Sequence, residues 1–274
     1  MAERGFHVVV VSGRGTCGSG GMLTPFVSEH DDGLAVVAWL RKQPWFTGEL
    51  GTFGQSYNGY AQWAIAAEAG PELRAITTSL IGSNAYDLLY PGGAMALELC
   101  LAWISMVAHQ EKPVAAYLSS IMLGGKKRAE AALPALLRDY QELRKAGRQP
   151  YLTIGPWQHW DADLSMAAVR ESLAWLRAHL LKDESGLRAA PVRIYVKGAE
   201  EWRDLPVYPP AEARPQRLYL HPNGGLGGDL PAQSAPDRYR FDPADPTPAV
   251  TGMSRLIGIP RKTGESVLAG RDES

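Results

Sequence analysis

The stretch Gly51-Thr-Phe-Gly-Gln-Ser-Tyr-Asn-Gly-Tyr-Ala-Gln-Trp63 constrains the fold of this chain more than any other. A short apolar run ends at Gly54, Ser56 follows two residues later, and helical periodicity starts almost at once. Gly54 and Gly59 flank the serine, where a sharp strand-to-helix turn has no room for side chains. Such a turn lifts a serine hydroxyl above the edge of a sheet and aims the backbone N–H of the next residue, Tyr57, at the same point. The usual nucleophile elbow has its second glycine two residues after the serine; here Asn58 holds that place and Gly59 comes one later. Ser56 is thereby nominated as a nucleophile and the Tyr57 N–H as an oxyanion donor. The rest of the chain has to build a sheet around them.

Residues 6–12 (Phe-His-Val-Val-Val-Val-Ser) are a β-branched run that predicts a strand buried on both faces of a parallel sheet. It enters Gly13-Arg-Gly-Thr-Cys-Gly18, which spells the G-x-G-x-x-G dinucleotide fingerprint. That fingerprint needs a helix opening on its last glycine and an acidic residue closing a second strand about 20 residues on. Here Gly20, Gly21 and Pro25 keep the chain irregular, and Asp31 and Asp32 open a helix, where carboxylates favour the dipole. The segment reads as a glycine-rich loop at the carboxyl edge of the sheet, and neither cofactor nor metal is expected.

Helix 31–43 carries Leu34, Val37, Trp39 and Leu40 on one stripe and stops before Pro44. An Ala-rich helix follows Ser56 to about Ala69, and Arg74–Ile81 reads as a strand, so the order predicts a parallel α/β sheet. From Pro91 to Leu123 the chain is apolar and helical, and its Trp103, Met106 and Tyr117 are expected to pack rather than bind. Pro134 is placed as the first residue of a helix to Ala146, with Gly147 as its stop. The strand Pro150–Gly155 delivers Pro156-Trp-Gln-His159. A histidine just past a strand's carboxyl end, and after the serine in the chain, suits the Ser…acid…His order, with a surface loop histidine as the alternative. A helix with Val169, Leu173, Leu176 and Leu180 on one face comes next.

After Gly186 short alternating runs (Val192–Val196, Arg217–His221, Tyr239–Phe241) are separated by proline and glycine, and ten of the 20 prolines lie between Pro206 and Pro248. This texture predicts an antiparallel β unit and two domains, 1–186 and 187–274. With 274 residues, 45% of them hydrophobic, the chain can bury a large core, and its net charge of −1 gives no footprint for nucleic acid or an anionic membrane. The longest apolar segment, Gly93–His109, falls short of the ~20 residues of a membrane span. Cys17 and Cys100 are isolated thiols that fit a cytoplasmic protein, and no basic, cleavable leader opens the sequence.

Taken together, the stretches Arg14–Gly21, Trp39…Gln-Pro-Trp45, Gly54-Gln-Ser-Tyr-Asn-Gly59 with Gln62-Trp63, Tyr90–Gly93, Gly155-Pro-Trp-Gln-His159 and Glu201-Trp-Arg-Asp204 resemble the X-prolyl dipeptidyl-peptidase / cocaine esterase (CocE/NonD) hydrolases. They occur in family order over roughly residues 4–260. The resemblance implies an α/β-hydrolase domain with an inserted helical cap (about 91–130, shortened here) and a partial antiparallel jelly-roll domain behind it. It carries over Ser56 as nucleophile and His159 as general base. The family's catalytic aspartate sits in a Gly-Trp-Tyr-Asp-like motif after a strand, and no such motif stands between Pro113 and Pro134. Counting back from Pro134, its place falls on Glu130, with Asp139 as the weaker candidate. The chain reads as a truncated, internally deleted member whose first strands, with the tyrosine that supplies a second oxyanion donor, are absent.

The function so implied is a serine hydrolase that cleaves an ester or amide (an X-Pro peptide, an acyl ester or a β-lactam side chain) through an acyl-enzyme. The alternative is a catalytically impaired fragment or a non-catalytic binding protein derived from the same fold. Small esters or short peptides are the expected partners, and the edges left by missing strands predict self-association into a homo-oligomer.

Overall fold

The computed structural model describes residues 1–108, 110–111, 125–157 and 161–233. The chain divides into two compact units, Met1–Asp204 and Leu205–Ser274.

The first unit is built from two β-α-β units. In the first, β1 (Leu50–Gln55) pairs in parallel with β2 (Leu73–Ser79), from Gly51 opposite Ala75 to Gln55 opposite Ser79, and α2 (Tyr57–Ile65) makes the crossover. Helix α1 (Glu29–Leu40) precedes them, two residues earlier at its start than the expected 31–43; Asp31 and Asp32 occupy its first turn, as the sequence predicts, together with Glu29. Val37 of α1 with Ile65 and Ala69 from α2 and the turn after it form a buried cluster, against which Leu34, Leu50 and Leu73 pack. Strand side chains alternate between faces, so Gly51, next to Leu50, meets the opposite layer: Leu176 and Leu180 of α6 (Ala162–Leu181) lie against it. Helices thus cover both faces of β1–β2, the arrangement that parallel strands require.

Helix α6 is also the crossover of the second unit, from β3 (Leu152–Ile154) to β4 (Val192–Val196). β4 is followed after a four-residue turn by β5 (Glu201–Leu205), giving the order β3-β4-β5. Arg193 pairs with Asp204 through bonds of 2.6 and 2.7 Å, and Tyr195 meets Trp202 edge-on, which are the neighbours a hairpin places opposite one another. Between the two units lie α3 (Ala85–Leu89), α4 (Leu97–Ala108) and α5 (Gly125–Lys145). Helix α4 turns Leu97, Leu101 and Ile104 outward.

Three expectations need correction. The run 6–12 is not a strand: it has no ladder among the described residues, and Val10 is 91% exposed. An apolar β-branched run becomes a central strand only when neighbours pair on both sides of it, and among the described residues β1 pairs with β2 alone. Pro134 lies inside α5 rather than at its start, since the helix begins at Gly125. Val192–Val196 heads the expected hairpin, with β5, but also joins β3 in parallel, with Leu152 opposite Val192 and Ile154 opposite Ile194, and Val192 is fully buried there.

In the second unit, β6 (Tyr219–His221) and β7 (Gly225–Gly227) form an antiparallel pair across the turn Pro222–Gly224. The His221 ring lies 3.0 Å from the carbonyl oxygen of Asp229. The expected strand Tyr239–Phe241 lies outside the described residues. Among the described residues no helix is long and apolar enough to cross a membrane.

Candidate active site

Ser56 is the single residue between β1 and α2, and it adopts φ 55°, ψ −130°. A non-glycine residue at positive φ is strained and persists only where its surroundings hold it. Three bonds do so here. The Ser56 N–H donates to Ser79 O at the end of β2 (2.7 Å), and Ser56 O accepts from the N–H groups of Gly59 (2.8 Å) and Tyr60 (3.2 Å). Tyr57 opens α2, so its N–H has no carbonyl to meet within the helix and lies at the positive end of the helix dipole.

The glycines act as the sequence suggests, and they also account for Asn58. A Cβ on Gly54 would lie 2.7 Å from Asn58 Cβ and 3.0 Å from Asn58 O; one on Gly59 would meet Ile81 at 2.5 Å. The missing side chain at Gly54 leaves the space in which Asn58 sits, so the elbow tolerates a larger residue where glycine is usual.

Gln62 braces the turn from below and is only 5% exposed. Its amide nitrogen donates to the carbonyls of Thr77 (3.0 Å), Asn58 (3.2 Å) and Gly54 (3.3 Å). Its amide oxygen accepts from Thr52 Oγ1 (2.8 Å) and the Thr77 N–H (3.2 Å). One side chain thus ties β1, α2 and β2 together. Sequence reasoning passed over this role; the signal available was a lone polar residue on the buried face of a helix.

Above Ser56 and Tyr57 is an apolar cavity walled by Phe26, Leu88 and Leu89 of α3, and Leu99 and Trp103 of α4. The Phe26 ring lies 5.3 Å from Tyr57, 4.9 Å from Tyr60 and 5.3 Å from Trp103. Trp103, expected only to pack, faces the serine's cavity, and Phe26 gave no sequence signal at all. Six non-glycine residues have positive φ among those described, and three of them, Phe26, Ser56 and Leu80, line this one cavity. Backbone strain gathers at functional sites. Burial, with the Glu29 carboxylate nearby, pushes the Tyr60 phenol up from its ordinary value.

The remaining candidates are placed as follows. Glu130 lies within α5, a helix rather than a strand end, and its side chain is outside the described residues. Asp139 accepts the Ser83 N–H (2.6 Å) and the Ser83 hydroxyl (2.7 Å), fixing the loop after β2. His159 lies outside the described residues; the chain leading to it, from Ile154 through Trp157, brings Trp157 to 5.4 Å from Trp202. Gly13–Gly18 forms tight turns, with Thr16 N–H and Oγ1 both donating to Gly13 O, and no helix opens on Gly18. Arg14 in that loop pairs with Asp32 of α1, Nε to Oδ2 at 3.0 Å, and so lowers the acid below the usual carboxylate range. Asp32 is thereby engaged in anchoring the loop. No cluster of three or more metal-ligating side chains occurs among the described residues.

A strained serine between a parallel strand and a helix, beneath an apolar pocket, defines an α/β-hydrolase elbow. The comparisons narrow that class. The profile of X-Pro dipeptidyl-peptidase (S15 family) matches residues 1–139, and the chain belongs to this family. It is 25% identical over 340 aligned positions to the cocaine esterase of Rhodococcus sp. (strain MB1 Bresler), covering 90% of this chain and 59% of the esterase. The aligned span is longer than this chain's own 274 residues, so the esterase carries residues within it that this chain lacks. The fold is shared with an aminopeptidase from a Thaumarchaeota archaeon (TM-score 0.58, 19% identity, 86% of this chain and 53% of that one). It is shared also with a CocE/NonD family hydrolase of Staphylococcus aureus (TM-score 0.56, 18% identity, 79% and 45%). The chain spans about half to three fifths of the length of these relatives.

Proposed function

We propose that this chain is a serine hydrolase that cleaves esters or amides through an acyl-enzyme at Ser56. The observation that carries the reading is the strained Ser56 elbow opening into an apolar cavity. In the proposed reaction Ser56 Oγ attacks the substrate carbonyl carbon while its proton passes to His159, the base that the family resemblance supplies. The Tyr57 N–H holds the developing oxyanion; removing one such donor from a hydrolase costs about 10²–10³ in turnover. The base then protonates the leaving alcohol or amine, and water, deprotonated by the same base, releases the acid. Glu130 is the carboxylate assigned to orient the imidazole. Substrates are small acyl esters or short X-Pro-like peptides, and the two free thiols, Cys17 and Cys100, suit a cytoplasmic setting.

A second reading is a protein that keeps the elbow but does not turn over. It is favoured by the acids, since Glu130 is on a helix and Asp139 is engaged by Ser83. A fluorophosphonate probe separates the two. Labelling of the purified chain that disappears in Ser56→Ala, together with hydrolysis of 4-nitrophenyl esters or X-Pro amides, is the expected result. Labelling without turnover supports the second reading, and a folded but unlabelled chain sinks the nucleophile.

A further inference from the structure

We infer that helix α4 is a two-faced lid that docks on the hydrocarbon surface of an aggregated ester, so that turnover rises when a sparingly soluble ester forms droplets. The inference rests on the proposed role of Ser56 as acyl-transfer nucleophile and adds the physical state of the substrate.

The sequence of α4, Leu-Glu-Leu-Cys-Leu-Ala-Trp-Ile-Ser-Met-Val-Ala, holds a single charged residue, Glu98. At 3.6 residues per turn, positions 97, 101 and 104 fall within about 60° of one another, and 99 and 103 lie on the opposite side. The structure uses these two faces differently. Leu99 and Trp103 wall the cavity over Ser56. Leu97, Leu101 and Ile104 face outward and are 59%, 58% and 57% exposed, with Met95 half-exposed just before them. A surface helix bathed in water carries polar groups on its outer face, whereas one that is apolar on both sides meets apolar matter on both. The cavity under α4 has a volume of about 30 Å³, room for about two water molecules. An ester larger than that reaches Ser56 only if α4 moves aside, and the movement uncovers Leu99 and Trp103 as well. In water that step exposes further apolar surface and is opposed. Against a hydrocarbon surface it is favoured, because both faces of the helix then leave water. A second copy of the chain on the outer face would hide the same three side chains but leave the serine's cavity shut. A droplet of the substrate itself accounts for both faces. The net charge of −1 gives no electrostatic hold, so the surface is neutral and apolar rather than anionic.

The test follows tributyrin hydrolysis through the ester's solubility limit, for the native chain and for Leu101→Glu and Ile104→Glu, two exposed positions that do not line the cavity. Removing about 60 Å² of apolar surface from water is enough for a tenfold shift between closed and open lid. The expected result is a rise of about tenfold in the native rate as droplets form, and a smooth saturating curve in both variants. Hydrolysis of dissolved 4-nitrophenyl acetate and the far-UV circular dichroism are expected to be equal in all three proteins. A native curve that crosses the solubility limit without a break overturns the inference, and so does a break that persists in both variants. A native dimer that Leu101→Glu dissociates, with no break in the native curve, assigns the outer face to a second copy and overturns it too. Flotation gives a reading that needs no turnover. The Ser56→Ala chain is expected to rise with tributyrin droplets, and the same chain carrying Leu101→Glu to stay in the water layer; equal partition of the two refutes the docking. A native chain that does not label with fluorophosphonate refutes the Ser56 reading instead, and flotation then still decides whether α4 docks.

Discussion

The space at Gly54 that accommodates Asn58 predicts a coupled pair of substitutions. In Gly54→Ala the new Cβ would lie 2.7 Å from Asn58 Cβ, 3.0 Å from Asn58 O and 3.1 Å from Asn58 C. Ordinary contacts of this kind are 3.4–4 Å, so α2 has to move off the strand, and overpacking of this sort costs about 1–3 kcal/mol. Asn58→Gly removes the tightest of the three contacts and leaves the two backbone ones. Alone it costs about 0.4 kcal/mol in helix propensity. The double variant is therefore expected to be more stable than the sum of the single changes by about 1 kcal/mol, roughly half the strain. Urea unfolding of all four proteins, followed by far-UV circular dichroism, measures the coupling, with unchanged slopes as the check on a two-state transition. Fluorophosphonate labelling on the same proteins should slow in Gly54→Ala and recover in the double variant. Additivity within about 0.3 kcal/mol would refute the claim that Gly54 makes room for Asn58.

Three further outcomes follow from the same packing. Gln62→Leu keeps the apolar volume but strips partners from Thr77 N–H, Thr77 O and Thr52 Oγ1, and a loss of about 2–4 kcal/mol in urea unfolding is expected. Asp183 is held at about 2 by hydrogen bonds from Ser185, with Arg177 adding to them. A lowered folded-state value means that the ionised carboxylate contributes stability above its ordinary range, which is lost as the pH falls through about 2. A carbon-13 titration should place Asp183 there in the native chain and move it up toward the ordinary 3.8 in Ser185→Ala. Val10→Lys, at a side chain 91% exposed, should change stability by less than about 0.5 kcal/mol, whereas a buried central strand would lose several times that.

What the sequence disclosed of this molecule was local. Gly54, Ser56 and Gly59 specify the elbow because the constraint acts within one turn of chain, and Asp31 and Asp32 mark a helix start for the same reason. Strand partnership is not local. The run 6–12 has the composition of a buried strand, yet what makes a strand is the ladder beside it, and no window of sequence contains that ladder. Val192–Val196 shows an antiparallel neighbour in its own neighbourhood, the hairpin strand Glu201–Leu205, but its parallel partner is Leu152–Ile154, some 40 residues upstream, and no local pattern reveals that pairing. Pro134 fits the first turn of a helix by rule, and only the nine residues before it, helical in the structure, show that the helix started earlier. At the site, the serine was legible and the cavity was not. Phe26, Leu88 and Trp103 come from three separated segments, and nothing in their own neighbourhoods marks them as walls of one pocket.

The Gln62 brace also bears on the order in which the molecule assembles. Its bonds to Thr52 and Thr77 close loops of 10 and 15 residues, and the β1–β2 ladder around them joins residues no more than about 25 apart. Short closures cost the least chain entropy and form first. The sheet that leads toward His159 instead waits for β4, some 40 residues beyond β3. During synthesis from the N-terminus the serine is therefore seated in its turn while the segment that delivers its base is still unmade. On the mechanism proposed here, that sequence of events keeps the nucleophile dormant until β4 has been made.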